Sequence, residues 1–153
     1  MPFGVFEYVW KDDGRWAMVA VPPDRLPVTA TEPRYARAVA ALEKGGQTKA
    51  AQVAYQALLG RWPDSLAGEM GLGNTAYTLK DLETAESAFK RATEDHPEAP
   101  AAFNNLAQVL VDRGKIDSAL AAAERAVSLG GPLLATTQAT LEEIRKQAET
   151  RKE

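Results

Sequence analysis

The sequence predicts a mainly α-helical protein, a repeat solenoid of three helix pairs and a capping helix, preceded by a short N-terminal β-hairpin. From about residue 30 onward the chain is rich in Ala, and its apolar residues follow a helical period. Several columns of residues in that part recur every 34 positions, which is typical of a helical repeat. Before residue 30, aromatic and β-branched residues flank a turn sequence instead. We therefore place the hairpin and a Pro-rich connector at 1–29 and the repeat domain at 30–153.

Composition excludes several classes of function. The chain has 153 residues, 25% of them charged, with a formal net charge of −3. Because Lys and Arg are not in excess, neither a nucleic acid nor a membrane is expected as a partner. The chain has no Cys, which excludes disulfides and thiolate metal sites. No leader or membrane-spanning run is visible, so we expect a cytoplasmic chain as given, and the compartment of a longer, exported parent stays open.

The N-terminal hairpin is predicted from two runs around an Asp-Asp-Gly turn. We expect strands near Val5–Trp10 and Arg15–Val21. The following VPPDRLP segment contains three prolines and is expected to be a connecting loop. Because an isolated two-stranded hairpin is marginal in water, something should cover it. Two alternatives stay open: it docks on the repeats, or it pairs with a second copy to form a homodimer.

The repeats lie at about 32–65, 66–99 and 100–133, with the capping helix at about 133–151. Four columns define the interval: Pro63 and Pro97; Ala51, Ala85 and Ala119; Tyr55, Phe89 and Ala123; Leu58, Ala92 and Ala126. With Leu72-Gly73, Ala85-x-x-x-Phe89 and Pro97, the middle copy resembles the tetratricopeptide repeat family. It departs from that pattern at Glu69, where the family favours Trp, and at Ala76.

Small residues and helix breakers agree with this register. Small side chains occupy the positions where paired helices should cross: Gly73, Ala85, Ala107 and Ala119. Glycines suit the turns between helices, at Gly45-Gly46, Gly114 and Gly130-Gly131-Pro132, and Ser65 and Asp81 can cap helices. The final helix should present one apolar face: Leu134, Leu141, Ile144 and Ala148.

The resemblance implies a concave groove lined by the first helix of each pair. The residues that we expect to contact a peptide are Met70, Asn74, Tyr77, Asn104, Asn105, Gln108 and Val111. In peptide-binding members of the family, Asn at the positions of Asn74 and Asn105 grips the main chain or carboxylate of a ligand. The alternative that these two amides merely stabilise the helix pairs stays open. Met70, Ala135 and Ala139 stand where a carboxylate clamp needs cations, so a free C-terminal carboxylate is not expected as the ligand.

Other motifs point to no chemistry. Gly71 to Ala76 matches a relaxed dinucleotide-binding pattern but lies inside a predicted helix, without the strand that such a site needs. His96 is the single histidine and is expected to be a solvated turn residue. The pairs Asp12-Asp13 and Glu142-Glu143 are interpreted as a hairpin turn and a solvated helix face. We therefore predict no catalytic residues, no metal, no cofactor and no enzymatic activity.

The hairpin sequence carries a second resemblance, over about residues 3–27. The stretches GVFEYVW and RWAMVAVPPDRLP resemble the closing strands of bacterial papain-like peptidases of the bacteriocin-processing type, in a subgroup with C-terminal tetratricopeptide repeats. The catalytic Cys and His of that family have no counterpart in this chain. The sequence thus favours a protein–protein interaction module, and the alternative is the non-catalytic C-terminal part of a bacterial cysteine peptidase that recruits substrate or scaffold.

Overall fold

The structure is a computed structural model that describes the backbone of residues 5–10 and 16–21 and the backbone and side chains of residues 31–150. Two strands, β1 (Val5–Trp10) and β2 (Trp16–Val21), pair antiparallel, with Val5 opposite Val21 and Trp10 opposite Trp16. The predicted Asp-Asp-Gly turn and the Pro-rich connector lie outside the described residues. Docking of the hairpin on the repeats and hairpin-mediated dimerisation both stay predictions.

Seven α-helices follow within the described residues 31–150. They are α1 (Glu32–Lys44), α2 (Thr48–Arg61), α3 (Leu66–Thr78), α4 (Leu82–Asp95), α5 (Pro100–Asp112), α6 (Ile116–Leu129) and α7 (Leu134–Thr150). Corresponding helices begin 34 residues apart, at 32, 66, 100 and 134 and at 48, 82 and 116. This spacing confirms the predicted mainly helical repeat fold, with three helix pairs and a final single helix.

The chain divides into two compact units, Met1–Thr75 and Ala76–Glu153. The division falls within α3, so that helix contributes residues to both units. The predicted boundary between a hairpin at 1–29 and a repeat domain at 30–153 is a different kind of division and stays a prediction.

Glycines follow the ends of helices, and capping residues precede their first turns, as the sequence predicts. Gly46 and Gly114 have φ of 76° and 74°, a left-handed conformation that glycine adopts without steric cost. The Asp81 carboxylate accepts a hydrogen bond from the Thr84 N–H (3.1 Å), and the Ser65 hydroxyl accepts one from the Gly68 N–H (3.1 Å). Each bond satisfies a backbone donor that the first turn of a helix leaves without an intrahelical partner.

The core of the first unit is built from one face each of α1 and α2. Its buried members are Tyr35, Ala36, Val39, Leu42, Ala51, Ala54, Tyr55 and Leu58. Two glycines of α3 approach this core closely. A Cβ atom at Gly68 would lie 2.6 Å from Leu58 Cδ2, and one at Gly71 would overlap the Tyr55 ring. Gly71 therefore serves helix packing, which confirms that the apparent dinucleotide pattern lies inside a helix.

Tyr55 is held at both ends within this unit. Its ring packs on Gly71, and its hydroxyl donates a hydrogen bond to Glu43 Oε2 at 3.0 Å. Burial, together with the charge and hydrogen bond of Glu43, raises the pKa of Tyr55 above its ordinary value. The phenol therefore stays protonated near neutral pH, and the side chain has little freedom to move.

The core of the second unit joins α5, α6 and α7. It consists of Ala107, Leu110, Ile116, Ala119, Ala122, Ala123, Leu141 and Ile144. The small residues Ala107 and Ala119 are fully buried, as expected for side chains at a helix crossing. Close approach of α5 to α6 therefore depends on the absence of larger side chains at these two positions.

The predicted apolar face of α7 is wrong at Leu134 and right at Leu141 and Ile144. Leu134 is 38% exposed, whereas Thr137 is completely buried in the same stripe. Helical side chains lean toward the N-terminus of their helix, so the side chain of the first residue, Leu134, projects past the start of α7. Glu142 and Glu143 are exposed, which confirms their interpretation as a solvated face.

Candidate peptide-binding face

The seven predicted contact residues lie on α3 and α5, and each of them is half-buried. Met70 and Asn74 belong to the first unit. Tyr77 and the four residues on α5 belong to the second: Asn104, Asn105, Gln108 and Val111. The predicted joint role of Asn74 and Asn105 spans both units and stays a prediction.

A row of polar side chains follows one side of α5. Asn104, Gln108 and Asp112 are spaced four residues apart, which places them on successive turns of the same side. Val111 borders the row and is half-buried, because it packs in part against the core of the second unit. The helix thus presents two amides and one carboxylate in line.

Asn104 is the most informative member of this row. Its side-chain oxygen Oδ1 is buried and has no hydrogen-bond partner among the described residues. A buried carbonyl oxygen without a partner costs about 1–3 kcal/mol relative to a satisfied one. Because the atom is closed to solvent, a ligand's N–H group can reach it only after the Asn104 side chain rotates outward.

Tyr77 and Asp112 form a hydrogen-bonded pair at the C-terminal end of α5. The Tyr77 hydroxyl donates to Asp112 Oδ2 at 2.5 Å. This bond, followed by burial and the negative charge of Asp112, raises the pKa of Tyr77 to about 12, so the phenol is a donor at neutral pH. The bond fixes both the Tyr77 ring and the Asp112 carboxylate beside the polar row.

The resemblance to the repeat family also implies that Asp112 lines the groove, although Asp112 is not one of the seven expected peptide contacts; its bond to Tyr77 is what the sequence did not predict. The available signal was the separation of Tyr77 and Asp112 by 35 residues, one more than the repeat length. That offset brings the end of one first helix beside the end of the next, but it does not indicate a hydrogen bond by itself.

Two cations that follow α5 are paired with Glu86 of α4. Arg113 Nη1 and Lys115 Nζ each lie 2.7 Å from a carboxylate oxygen of Glu86. Burial acts to raise the pKa of Glu86, but the hydrogen bonds and charges of Lys115 and Arg113 outweigh it and lower that pKa below its usual value. The network ties α4 to the turn between α5 and α6.

Replacing Glu86 by Gln should reduce the free energy of unfolding by about 1 kcal/mol at neutral pH, since the group is partly solvated. The folded state depresses the pKa of Glu86 below 4.5, so its contribution is present above that pH and is lost as pH falls through the folded-state value. Urea unfolding between pH 7 and pH 3 should therefore show a wild-type advantage that shrinks in acid. Glu143→Gln, a change at an exposed site, serves as the control. If the difference in unfolding free energy between the wild type and Glu86→Gln stayed constant with pH, the lowered pKa of Glu86 would be contradicted.

The remaining sequence candidates lie on other elements. His96 caps the end of α4 and is half-buried, with Nδ1 4.0 Å from Glu98 Oε1. The part of the chain that the structure describes contains no group of His, Asp and Glu side chains arranged to hold a metal ion. Ala135 and Ala139, at the positions where a carboxylate clamp needs cations, are exposed on α7. No helix among the described residues is long and apolar enough to span a membrane.

Fold and face together define an α-helical repeat protein that presents polar side chains from the first helix of a pair. The tetratricopeptide repeat family matches residues 35–92 and, in an overlapping second match, 70–132. The chain belongs to the tetratricopeptide repeat family. No curated protein is similar enough in sequence to count as a relative.

Solved structures share the fold. The chaperone SycD of Yersinia enterocolitica type III secretion, in complex with a peptide of the translocator YopD, aligns with a TM-score of 0.71 at 15% identity over 80% of this chain and 99% of that one. PcrH from Pseudomonas aeruginosa, in complex with the chaperone-binding region of PopD, aligns with a TM-score of 0.73 at 20% identity over 80% and 99%. At these identities the likeness shows a common fold.

Proposed function

We propose that this chain is a protein–protein interaction module that holds a peptide or protein segment along the polar side of α5. The single observation that carries the proposal is the row along one side of α5, in which Asn104 and Gln108 are half-buried and Asp112 is exposed. Membership of the tetratricopeptide repeat family supports it, as do two solved structures of the same fold that contain a bound segment of another protein.

The chemistry of the row fits a polypeptide main chain. A side-chain amide offers a donor and an acceptor together, as the edge of a β-strand does, so Asn104 and Gln108 can each pair with a peptide group of a ligand. Val111 adds an apolar contact for a neighbouring side chain. Because Met70, Ala135 and Ala139 supply no cation, the ligand is an internal segment of a partner rather than a free C-terminus.

We further propose that the chain has no hydrolytic activity of its own. The alternative function, the non-catalytic C-terminal part of a bacterial cysteine peptidase, rests on the resemblance of residues 3–27. Continuation of the reading frame upstream of Met1 into a domain with catalytic Cys and His would favour it. Light scattering of the chain with and without residues 1–27 tests the hairpin-mediated homodimer, because a monomer in both cases removes it.

Peptide binding is tested by panning a displayed library of random peptides on the full chain and measuring affinities of the selected peptides by calorimetry. Asn104→Ala, Gln108→Ala and Asn105→Ala should each weaken binding by about 1 kcal/mol, roughly fivefold, while the melting temperature stays close to that of the wild type. Asn74→Ala should act in the same direction.

The matched control is Gln56→Ala, which removes an exposed amide from α2, outside the proposed face. This variant should bind the selected peptides as the wild type does. Peptides that bind equally well to the Asn104, Asn105 and Gln108 variants would rule out this location of the binding site.

A further inference from the structure

The charge at the C-terminal end of α5 is unbalanced. Asp112 is exposed, and none of the ion pairs among the described residues includes its carboxylate. Its Oδ2 accepts the hydrogen bond from Tyr77, which orients the group and is not a charge partner. The end of α5 adds partial negative charge, because the peptide dipoles of a helix sum to a negative C-terminus.

Three cations that lie near Asp112 in the chain or at its partner Tyr77 have partners of their own. Arg113 and Lys115 both lie 2.7 Å from the Glu86 carboxylate, so their positive charges pair with Glu86 and not with Asp112. The Lys80 ammonium lies 5.6 Å from the centroid of the Tyr77 ring, in a cation–π arrangement. Asp112 therefore carries a negative charge that these neighbours do not pair.

The rest of the row is uncharged. Asn104 and Gln108 precede Asp112 at intervals of one turn, and the flanking positions hold Asn105 and Val111. A segment that lies along this row meets neutral amides first and a single fixed carboxylate at one end. Within this face, Asp112 is thus the group that can discriminate between partners by charge.

We infer that the partner segment carries a Lys or Arg side chain that pairs with Asp112 while its neighbouring residues lie along Asn104 and Gln108. This inference rests on the proposed function and adds the chemical class of the partner. A segment with Asp or Glu at the same place is repelled.

The test uses the full chain and the same random peptide library, panned separately on the wild type and on Asp112→Lys. Peptides selected on the wild type should share a Lys or Arg position. Asp112→Asn, which removes the charge and keeps the shape, should weaken their binding about threefold, and Asp112→Lys about tenfold or more. Exchange of the shared basic residue for Glu should reverse the order, with tighter binding to Asp112→Lys than to the wild type.

Glu143→Lys is the matched control, since it makes the same charge reversal on an exposed site of α7 and should leave the affinity of the wild-type peptides within about twofold. Peptides that lose affinity with Asn104→Ala but show no basic position, or that bind Asp112→Lys unchanged, would overturn the inference and leave the proposed function standing. Failure of every selected peptide to respond to Asn104→Ala and Gln108→Ala would overturn both.

Discussion

Replacing Gly71 by Ala should lower the free energy of unfolding by about 1–2 kcal/mol, although Ala is the better helix former. A Cβ atom at this position of α3 would overlap the ring of Tyr55. That ring cannot easily move, because its hydroxyl is bonded to Glu43 and its side chain is only 4% exposed. The steric cost of about 1–3 kcal/mol should therefore exceed the gain in helix propensity of about 1 kcal/mol.

Gly60→Ala is the matched control, since it makes the same chemical change in a neighbouring helix. A Cβ atom at Gly60 of α2 would meet nothing within 4 Å, and the residue is exposed. Helix propensity then acts alone, and the variant should be more stable than the wild type by about 0.5 kcal/mol. Urea unfolding of both variants should give shifts of opposite sign; shifts of the same sign would mean that α3 does not pack on Tyr55 as described.

The helical architecture was predictable because the repeat fixes several independent features at one interval. Breakers such as Gly46 and Gly114, the cap at Asp81 and buried small residues such as Ala85 all lie where a helix pair requires them. Each of these preferences is local, so the sequence alone contains it. Together, these breakers, caps and small residues predict where each helix begins and ends and in which order the helices follow.

The hydrophobic pattern fails where a residue's polarity differs from that of the equivalent residues in the other repeats. Tyr35, Glu69, Phe103 and Thr137 are 34 residues apart, and Glu69 and Thr137 are fully buried although neither is apolar. Leu134, which is apolar, is exposed. Burial at these positions follows the backbone geometry of the repeat rather than the polarity of the side chain, and a hydrophobic pattern misplaces such residues.

The candidate site was predictable as a set of positions and not as a set of interactions. The resemblance to the tetratricopeptide repeat family implies that Asn104, Gln108 and Val111 line one side of the first helix of the third pair. Two sets of interactions depend on how side chains of different helices are directed toward each other. One is the hydrogen bond from Tyr77 to Asp112, and the other is the pairing of Glu86 with Arg113 and Lys115. No local pattern encodes those directions, yet they decide the charge that a ligand would meet.

The second large effect is expected at Ile144, which is 2% exposed and belongs to the core that joins α7 to α5 and α6. Ile144→Ala should lower the free energy of unfolding by about 3 kcal/mol, because it removes buried methyl groups and leaves a cavity. This is a large part of the roughly 5–15 kcal/mol that stabilises an ordinary domain. Thermal and urea unfolding of the full chain measure it.

Glu143→Ala, one residue earlier and exposed, should stay within about 0.5 kcal/mol of the wild type. If the two variants were equally stable, α7 would not act as the cap of the array. A finite helical array needs such a cap, because its last helix pair would otherwise leave apolar surface in water. Since α7 also packs on α5, Ile144→Ala should loosen the helix that carries Asn104 and Gln108, so peptide affinity should fall with stability. An exposed change such as Glu143→Ala should alter neither quantity.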